Sequence, residues 1–387
     1  MTDFIQLAIP NLKGNEAKYL LECINQNFVS TVGPFVGEFE NLLKKLTGSE
    51  FAIATNTGTS ALHLALLGSG TKSNDIVIAP NYSFIASANA IRHCGADPWF
   101  FDFQLKDWGI DPTLLEAEIE QNTQITEEGV FHKTTGQRIS AILAVHAAGH
   151  PADATKIDQI GERFSLPVVY DGAAALGADI LGNDISNFGI ATTLSFNGNK
   201  TFTAGGGGCV LTNNKQLAER IRHLSSTART SKNYDHDEVA YNYRITNIQA
   251  AIGKAQLESY AHFLTRKRLI LARYNMEFSK YSGVAFPDDS ESQTSAWMSG
   301  IVTPEDDVSN VEKFKSYLLD QGIEARSFWK PMHLQVPFSR SLMSTVQQSN
   351  DFYSRVVILP NSTSLTESEE DRVVSNVHNY FRNFKRL

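Results

Sequence analysis

From Phe51 to about Leu211, short apolar runs alternate with helical patterns, and this alternation constrains the fold more than any other feature of the chain. Phe51-Ala52-Ile53-Ala54 precedes an apolar helical stretch around Ala61 to Leu67. Ile76-Val77-Ile78 precedes another, in which Ile85, Ala88 and Ile91 share one face. Trp99-Phe100-Phe101, Ala141 to Val145 and Pro167-Val168-Val169-Tyr170 are further strand candidates, and Ile157, Ile160 and Phe164 mark the helix before the last of them. Strands this uniformly apolar have no wet face, so they belong in a sheet covered by helices on both sides. The expected class is α/β with a mostly parallel central sheet, and functional residues should gather in the loops at the strand ends.

With 387 residues the chain has room for a large domain and a smaller companion. The stretch from Gln121 to Gln137 is polar and weakly periodic, as an inserted loop or hairpin would be. A helical pattern through Ile245, Ile248, Ile252 and Ala255 leads by way of Arg266-Lys267-Arg268 into a different architecture. Its strand candidates are sparser, at Ala296 to Val302 and Val356 to Leu359. Its last helix opens on the capping box Thr366-Glu367-Ser368-Glu369 and continues with Val373, Val374, Val377 and Phe381 on one side. The acidic run Glu367 to Asp371 suits the first turn of that helix. These features predict a large domain over 15–260 and a smaller α+β domain over 261–387, joined by residues 1–14.

A formal charge of −8 argues against a general nucleic-acid binder, because no basic field is available to displace counterions. No apolar run approaches a membrane span, and Met1-Thr2-Asp3-Phe4 lacks the build of a secretory signal. Cys23, Cys94 and Cys209 are far apart in small or apolar surroundings and are expected to be buried, reduced thiols. A cytoplasmic protein is expected.

Four features point toward chemistry. Lys200 ends the run Ser195-Phe196-Asn197-Gly198-Asn199-Lys200 and is followed, after Thr201 to Ala204, by four consecutive glycines, Gly205 to Gly208. A lone lysine before a turn is ordinarily a surface residue. A lysine among small residues, after a β-like segment, also suits an amine that must lose its proton to attack a carbonyl. Thr55-Asn56-Thr57-Gly58-Thr59-Ser60 lies between a strand and a helix, where backbone N–H groups and hydroxyls can cradle a phosphate or simply cap the helix. Asp171 closes a strand, as a helix cap or as the partner of a ring nitrogen. Phe84 opens a helix, as core or as a flat surface for a ring. His146 and His150 flank a turn and His63 sits on an apolar helix, so all three read as structural residues, and no metal site is expected.

Together these motifs resemble the DegT-type nucleotide-sugar aminotransferases, pyridoxal-phosphate enzymes of fold type I. The resemblance runs through Ser30 to Val36, Gly58 to Leu66, Pro80 to Ala86, Ser195 to Lys200, Tyr241 to Ala251 and Trp329 to His333. It implies that Lys200 carries pyridoxal 5′-phosphate covalently and then moves a proton, with Asp171 on the pyridine nitrogen and Phe84 stacked on the ring. Gly58, Thr59, Ser60, Ser195 and Asn197 would hold the cofactor, joined by Asn242 from a second subunit of a homodimer with shared active sites. Arg244 and His333 would contact the nucleotide sugar. The wording around Lys200 and the inserted 121–137 segment look most like the branch that aminates UDP-linked 2-acetamido-4-keto sugars, with glutamate as amino donor. The related dehydratases typically carry a histidine at the lysine position, so Lys200 weighs against that alternative, and an intact Lys–Asp pair weighs against a non-catalytic regulator. One departure stands out: the family's polar side chain three residues past the strand-end aspartate is Ala174 here.

Overall fold

The computed structural model describes residues 4–231, 233–288, 291–305, 310–346, 348–349 and 351–384. Its main sheet runs in the order Phe51–Thr55, Gly208–Thr212, Ala191–Ser195, Val168–Asp171, Arg138–Val145, Ile76–Pro80, Asp97–Phe101 and Leu342–Met343. The strand Gly208–Thr212 is antiparallel to both neighbours, and the other neighbouring pairs in this order are parallel. The expected α/β class with a mostly parallel sheet is what the chain adopts.

Alternate strand residues explain the two apolar faces. Val77, Ala79 and Val210 pack against the helices Gly58–Gly68 and Lys215–Ser225, whereas Ile76, Ile78 and Ile142 pack against Pro112–Asn122 and Ala154–Phe164. The helix Gly58–Gly68 is buried along Ser60 to Leu66, which explains why its sequence is apolar on every side. The polar segment near Gln121 to Gln137 resolves into a hairpin, Thr123–Thr126 with Gly129–His132, laid antiparallel on Arg138–Val145.

Parallel strands align their carboxyl ends. Thr55, Pro80, Val145, Asp171 and Ser195 therefore finish at one edge of the sheet, and the helices starting at Gly58 and Ile85 begin there too. The Lys200 loop is the connection that leaves this edge at Ser195 and returns at Gly208, its register partner. Gly207 turns the loop at φ +110°, and a Cβ on Gly208 would stand 2.7 Å from the Cα of Gly58. These glycines thus serve the turn and the close seating of the loop on the helix start.

The C-terminal region carries a small antiparallel sheet, in the order Gly300–Val302, Val356–Ile358, Arg326–Ser327. Ile270, Tyr274, Phe314, Val373 and Val377 form its core with the helices Tyr260–Ser282, Val311–Asp320 and Glu367–Phe384. The 260/261 boundary falls at the first turn of the 23-residue helix Tyr260–Ser282. The strand candidate Ala296 to Val302 is shorter than expected, because Ala296 sits at φ +53° and the preceding residues bond elsewhere. Thr294 Oγ1 and the Ser295 amide both donate to Gly149 O, at 3.0 and 2.8 Å. The basic triplet clamps this strap: Arg268 donates to Thr294 O and Gly177 O, Lys267 to Trp297 O and Asn361 Oδ1, and Arg266 pairs with Glu370. Among the described residues no helix is long and apolar enough to cross a membrane.

Candidate active site

At the carboxyl edge of the sheet lies a cavity of about 300 Å³. Its wall includes Lys200, Asp171, Phe84, Gly58, Thr59, Ser195 and Asn197, all assigned to the site from sequence, and also Thr57, His146, Asn199, Trp297 and Trp329, to which the sequence assigned no site role. Ser60, Asn242, Arg244 and His333 lie outside this wall.

Asp171 is 5 % exposed and is held by two donors, Ser87 Oγ at 2.6 Å and the Ala173 amide at 3.0 Å. Burial pushes its carboxyl up, while Ser87, Ala173 and the Lys200 amine pull it down. Both donors favour the ionised form and fix the plane of the carboxylate. The Lys200 amine sits 3.8 Å from the centroid of the Trp297 ring, whose indole N–H donates to Asn199 O at 2.8 Å. Burial lowers the amine to about 8, and Asp171 opposes the shift. At that value about one amine in ten is neutral at pH 7, against roughly one in three thousand for an ordinary lysine. The site thus supplies a nucleophile without a separate base.

The helix start is built from Thr57. Its hydroxyl accepts from the Ser60 amide at 3.0 Å and shares a 2.8 Å hydrogen bond with the Ser60 hydroxyl. Ser60 is therefore taken up in capping, and the amides of Gly58 and Thr59, in the first turn with no intrahelical acceptor, border the cavity. A Cβ on Gly58 would stand 2.7 Å from Ser195 Cβ, so glycine lets the two phosphate-side elements meet. Phe84 caps the next helix with 57 % of its surface exposed, a flat apolar face on the cavity.

Other expected residues stand apart. Asn242 and Arg244 are exposed, in an extended segment whose Tyr241 and Tyr243 stack on each other and lean on His63. Asn242 bridges Ser226, and Arg244 bridges Thr55. The His333 amide donates to Asn81 Oδ1 at 3.0 Å, and its Nδ1 lies 2.8 Å from Asn81 Nδ2. His63 is buried as expected, and burial lowers its pKa to about 4. His146 and His150 flank the short turn Ala147–Gly149. Ala174 presents no polar side chain to the cavity, and its carbonyl accepts from Ser295 Oγ at 2.5 Å.

These groups fit the pyridoxal phosphate implied by the sequence resemblance. A helix N-terminus suits its phosphate, an exposed ring its flat face, a buried and doubly hydrogen-bonded carboxylate its ring nitrogen, and a depressed amine its aldehyde. Trp297 lies 97 residues after Lys200 with no local motif to mark it, whereas Trp329 opens the Trp329 to His333 motif but carries no sign of its place at the cavity. Thr57 was recoverable, since a threonine just before an apolar helix is a capping signal.

The profile of the DegT/DnrJ/EryC1/StrS aminotransferase family matches residues 10–378. A GDP-perosamine synthase from Caulobacter vibrioides is 34% identical over 374 residues, 96% of each chain. Another from Vibrio cholerae is 32% identical over 375 residues, 96% of this chain and 98% of the relative. Among solved structures, DesV of S. venezuelae aligns with TM-score 0.86 and 25% identity over 98% of this chain and 99% of its own. Helicobacter pylori PseC, an aminotransferase of pseudoaminic acid biosynthesis, aligns with TM-score 0.85 over 98% and 100% at 22% identity, a likeness of fold.

Proposed function

The chain belongs to the DegT/DnrJ/EryC1/StrS aminotransferase family, a pyridoxal-phosphate-dependent family, and from that premise we propose that it transfers an amino group from glutamate to the 4-keto carbon of a nucleotide-linked deoxyhexose. The observation that carries the reading is the meeting of a depressed lysine amine, an oriented buried carboxylate, a helix N-terminus and an open aromatic face around one cavity.

When bound, the cofactor supplies an electron sink for charge that develops on the substrate carbon. Lys200 Nζ is assigned the covalent hold on its aldehyde carbon. When not so engaged, the Nζ amine would be placed to carry a proton to and from the substrate carbon. Asp171 would face the ring nitrogen and favour its protonated form, with the hydrogen bonds from Ser87 and the Ala173 amide opposing the upward shift that burial imposes on its carboxyl. Gly58, Thr59 and Ser195 hold the phosphate, with Ser60 acting through Thr57 and Asn197 beside them. Phe84 covers one ring face, and Trp297 limits water at Lys200.

Asn242 is assigned to the phosphate of a second copy in a homodimer, a reading supported by its exposure and by its absence from the wall of its own cavity. Arg244 and His333 are assigned to the nucleotide sugar. Residues 15–260 form the cofactor domain and 261–387 the smaller one, in a cytoplasmic enzyme. The acceptor we favour is a UDP-linked 2-acetamido sugar, on the wording around Lys200 and the hairpin over 123–132. A GDP-linked keto sugar is the second reading, favoured by the names of the relatives. The test is a transamination screen of UDP-, GDP- and dTDP-linked 4-keto sugars with glutamate. Amination of the UDP sugar alone supports the first reading and of the GDP sugar alone the second. If none is aminated by cofactor-loaded protein, the substrate class is wrong.

A further inference from the structure

His146 borders the same cavity as Lys200 and Asp171, and none of the roles above uses its imidazole. It follows Val145, which lies opposite Asp171 in the parallel ladder, and its amide donates to Asp171 O at 3.0 Å. The side chain belongs to a residue 1 % exposed, and its ring lies flat on Tyr170, centroids 4.9 Å apart with an interplanar angle of 1°. The position of this ring is therefore fixed by backbone and stacking together.

Its protonation is fixed as well. Nδ1 lies 3.0 Å from the Ala152 amide, an N–H that can only donate, so Nδ1 is the acceptor and the single proton sits on Nε2. Burial, reinforced by His150, lowers the imidazole to about 3, so the ring is neutral through the physiological range. Nε2 is buried and has no hydrogen-bond partner among the described residues. A buried donor left without an acceptor is destabilising, and such a group at a ligand cavity calls for an acceptor on the ligand.

The chemistry of the cofactor supplies one. The ring nitrogen and phenolic oxygen of pyridoxal are separated by roughly 4 Å, close to the 4.7–4.9 Å between adjacent strands. With the nitrogen at Asp171, an oxygen on the side of the neighbouring strand falls toward the residue that follows Val145. Ala174 offers no side-chain donor there, and Ser87 is committed to Asp171. We infer that His146 Nε2–H donates a hydrogen bond to the phenolic oxygen of the bound cofactor, a contact that rests on the pyridoxal-phosphate reading above.

The hydrogen bond stabilises negative charge on that oxygen and so weakens its grip on the proton of the Lys200 linkage. It thereby lowers the pH at which the bound cofactor's visible band converts. Asp171 and Lys200 border the cavity, Tyr170 bonds Asp158 at 2.8 Å and feels Asp153, and His150 acts on the ring directly.

The test is a pH titration of the visible band in cofactor-loaded wild type, His146→Phe and His146→Gln. The phenylalanine keeps the stack on Tyr170 without the donor, and the glutamine keeps an N–H donor. We expect the midpoint of His146→Phe to rise by about one pH unit, a roughly tenfold change in proton affinity, with His146→Gln close to wild type. Failure of His146→Phe alone to hold the cofactor, with His146→Gln holding it, also supports the contact. A His146→Phe protein with the wild-type midpoint overturns it, as does an equal shift in both variants. Absence of any band in wild type sinks the cofactor reading itself, a result distinct from an unmoved midpoint.

Discussion

The amine of Lys200 lies 3.8 Å from the ring centroid of Trp297, so a residue of the C-terminal region closes the cavity over the reactive group of the large sheet. The carbonyl of the same tryptophan accepts from the buried Lys267 amine and from Asn361 Nδ2, at 3.0 and 2.8 Å. The ring is thus anchored at both ends, backbone and indole.

Two effects of Trp297 on Lys200 oppose each other. A cation–π contact favours the charged amine by about 0.5–2 kcal/mol, whereas burial as a whole, to which the ring contributes, takes the amine from 10.5 to about 8, roughly 3 kcal/mol against the charge. Desolvation wins. Trp297→Ala should therefore raise the Lys200 pKa, read as the pH midpoint of chemical labelling at Lys200 in cofactor-free protein. A midpoint unchanged or lowered would mean that other groups desolvate the amine.

The depressed amine also costs stability. Because the folded pKa of about 8 lies below the unfolded 10.5, the folded state binds fewer protons. The penalty is complete below about pH 8 and fades as pH rises to 10.5. Lys200→Met should melt higher than wild type at pH 7 without cofactor, by up to about 3 kcal/mol at 1.36 kcal/mol per unit. Calorimetry at pH 7 and pH 10 should show the advantage shrinking at the higher pH.

Ser87 holds Asp171 Oδ2 at 2.6 Å. Hydrogen bonds to charged groups contribute about 1.5–3 kcal/mol, so Ser87→Ala should weaken pyridoxal-phosphate binding about tenfold or more in equilibrium dialysis. Loss of this donor raises the Asp171 pKa. The defect should consequently deepen as pH falls.

Gly58→Ala would bring a Cβ within 2.7 Å of Ser195 Cβ, with both atoms tied to backbone. Overpacking of this kind costs about 1–3 kcal/mol, and it would push apart the two elements assigned to the phosphate. Gly37→Ala, in the helix Pro34–Thr47 with no neighbouring atom within 4 Å, is the matched control and should be neutral or stabilising. Urea melts of the two variants check the difference.

The legible parts of this chain were those with local signals. The apolar strands Ile76 to Ile78 and Ala141 to Val145, the capping box at Thr366 and the lysine loop each carry their pattern within a few residues. Trp297 and Ser87 carried no such signal, because their importance comes from contacts with Lys200 and Asp171 that only the fold creates. The same holds for Leu342–Met343, which extends the sheet beside Trp99 and Phe100 from far along the chain. Ala296 to Val302 read as a strand on composition, but hydrogen bonds to Gly149 take up the residues before it. His146 read as a turn residue and does flank a turn. Its unpaired nitrogen became visible only with the Ala152 amide in view.

The central claim is that Lys200 holds the cofactor. Borohydride reduction of pyridoxal-phosphate-loaded protein, followed by peptide mass mapping, tests it most directly. The expected result is a pyridoxyl group fixed on the peptide containing Lys200, with loss of the visible band. A pyridoxyl group on another lysine, or a loaded protein that reduces without any modified peptide, would contradict it.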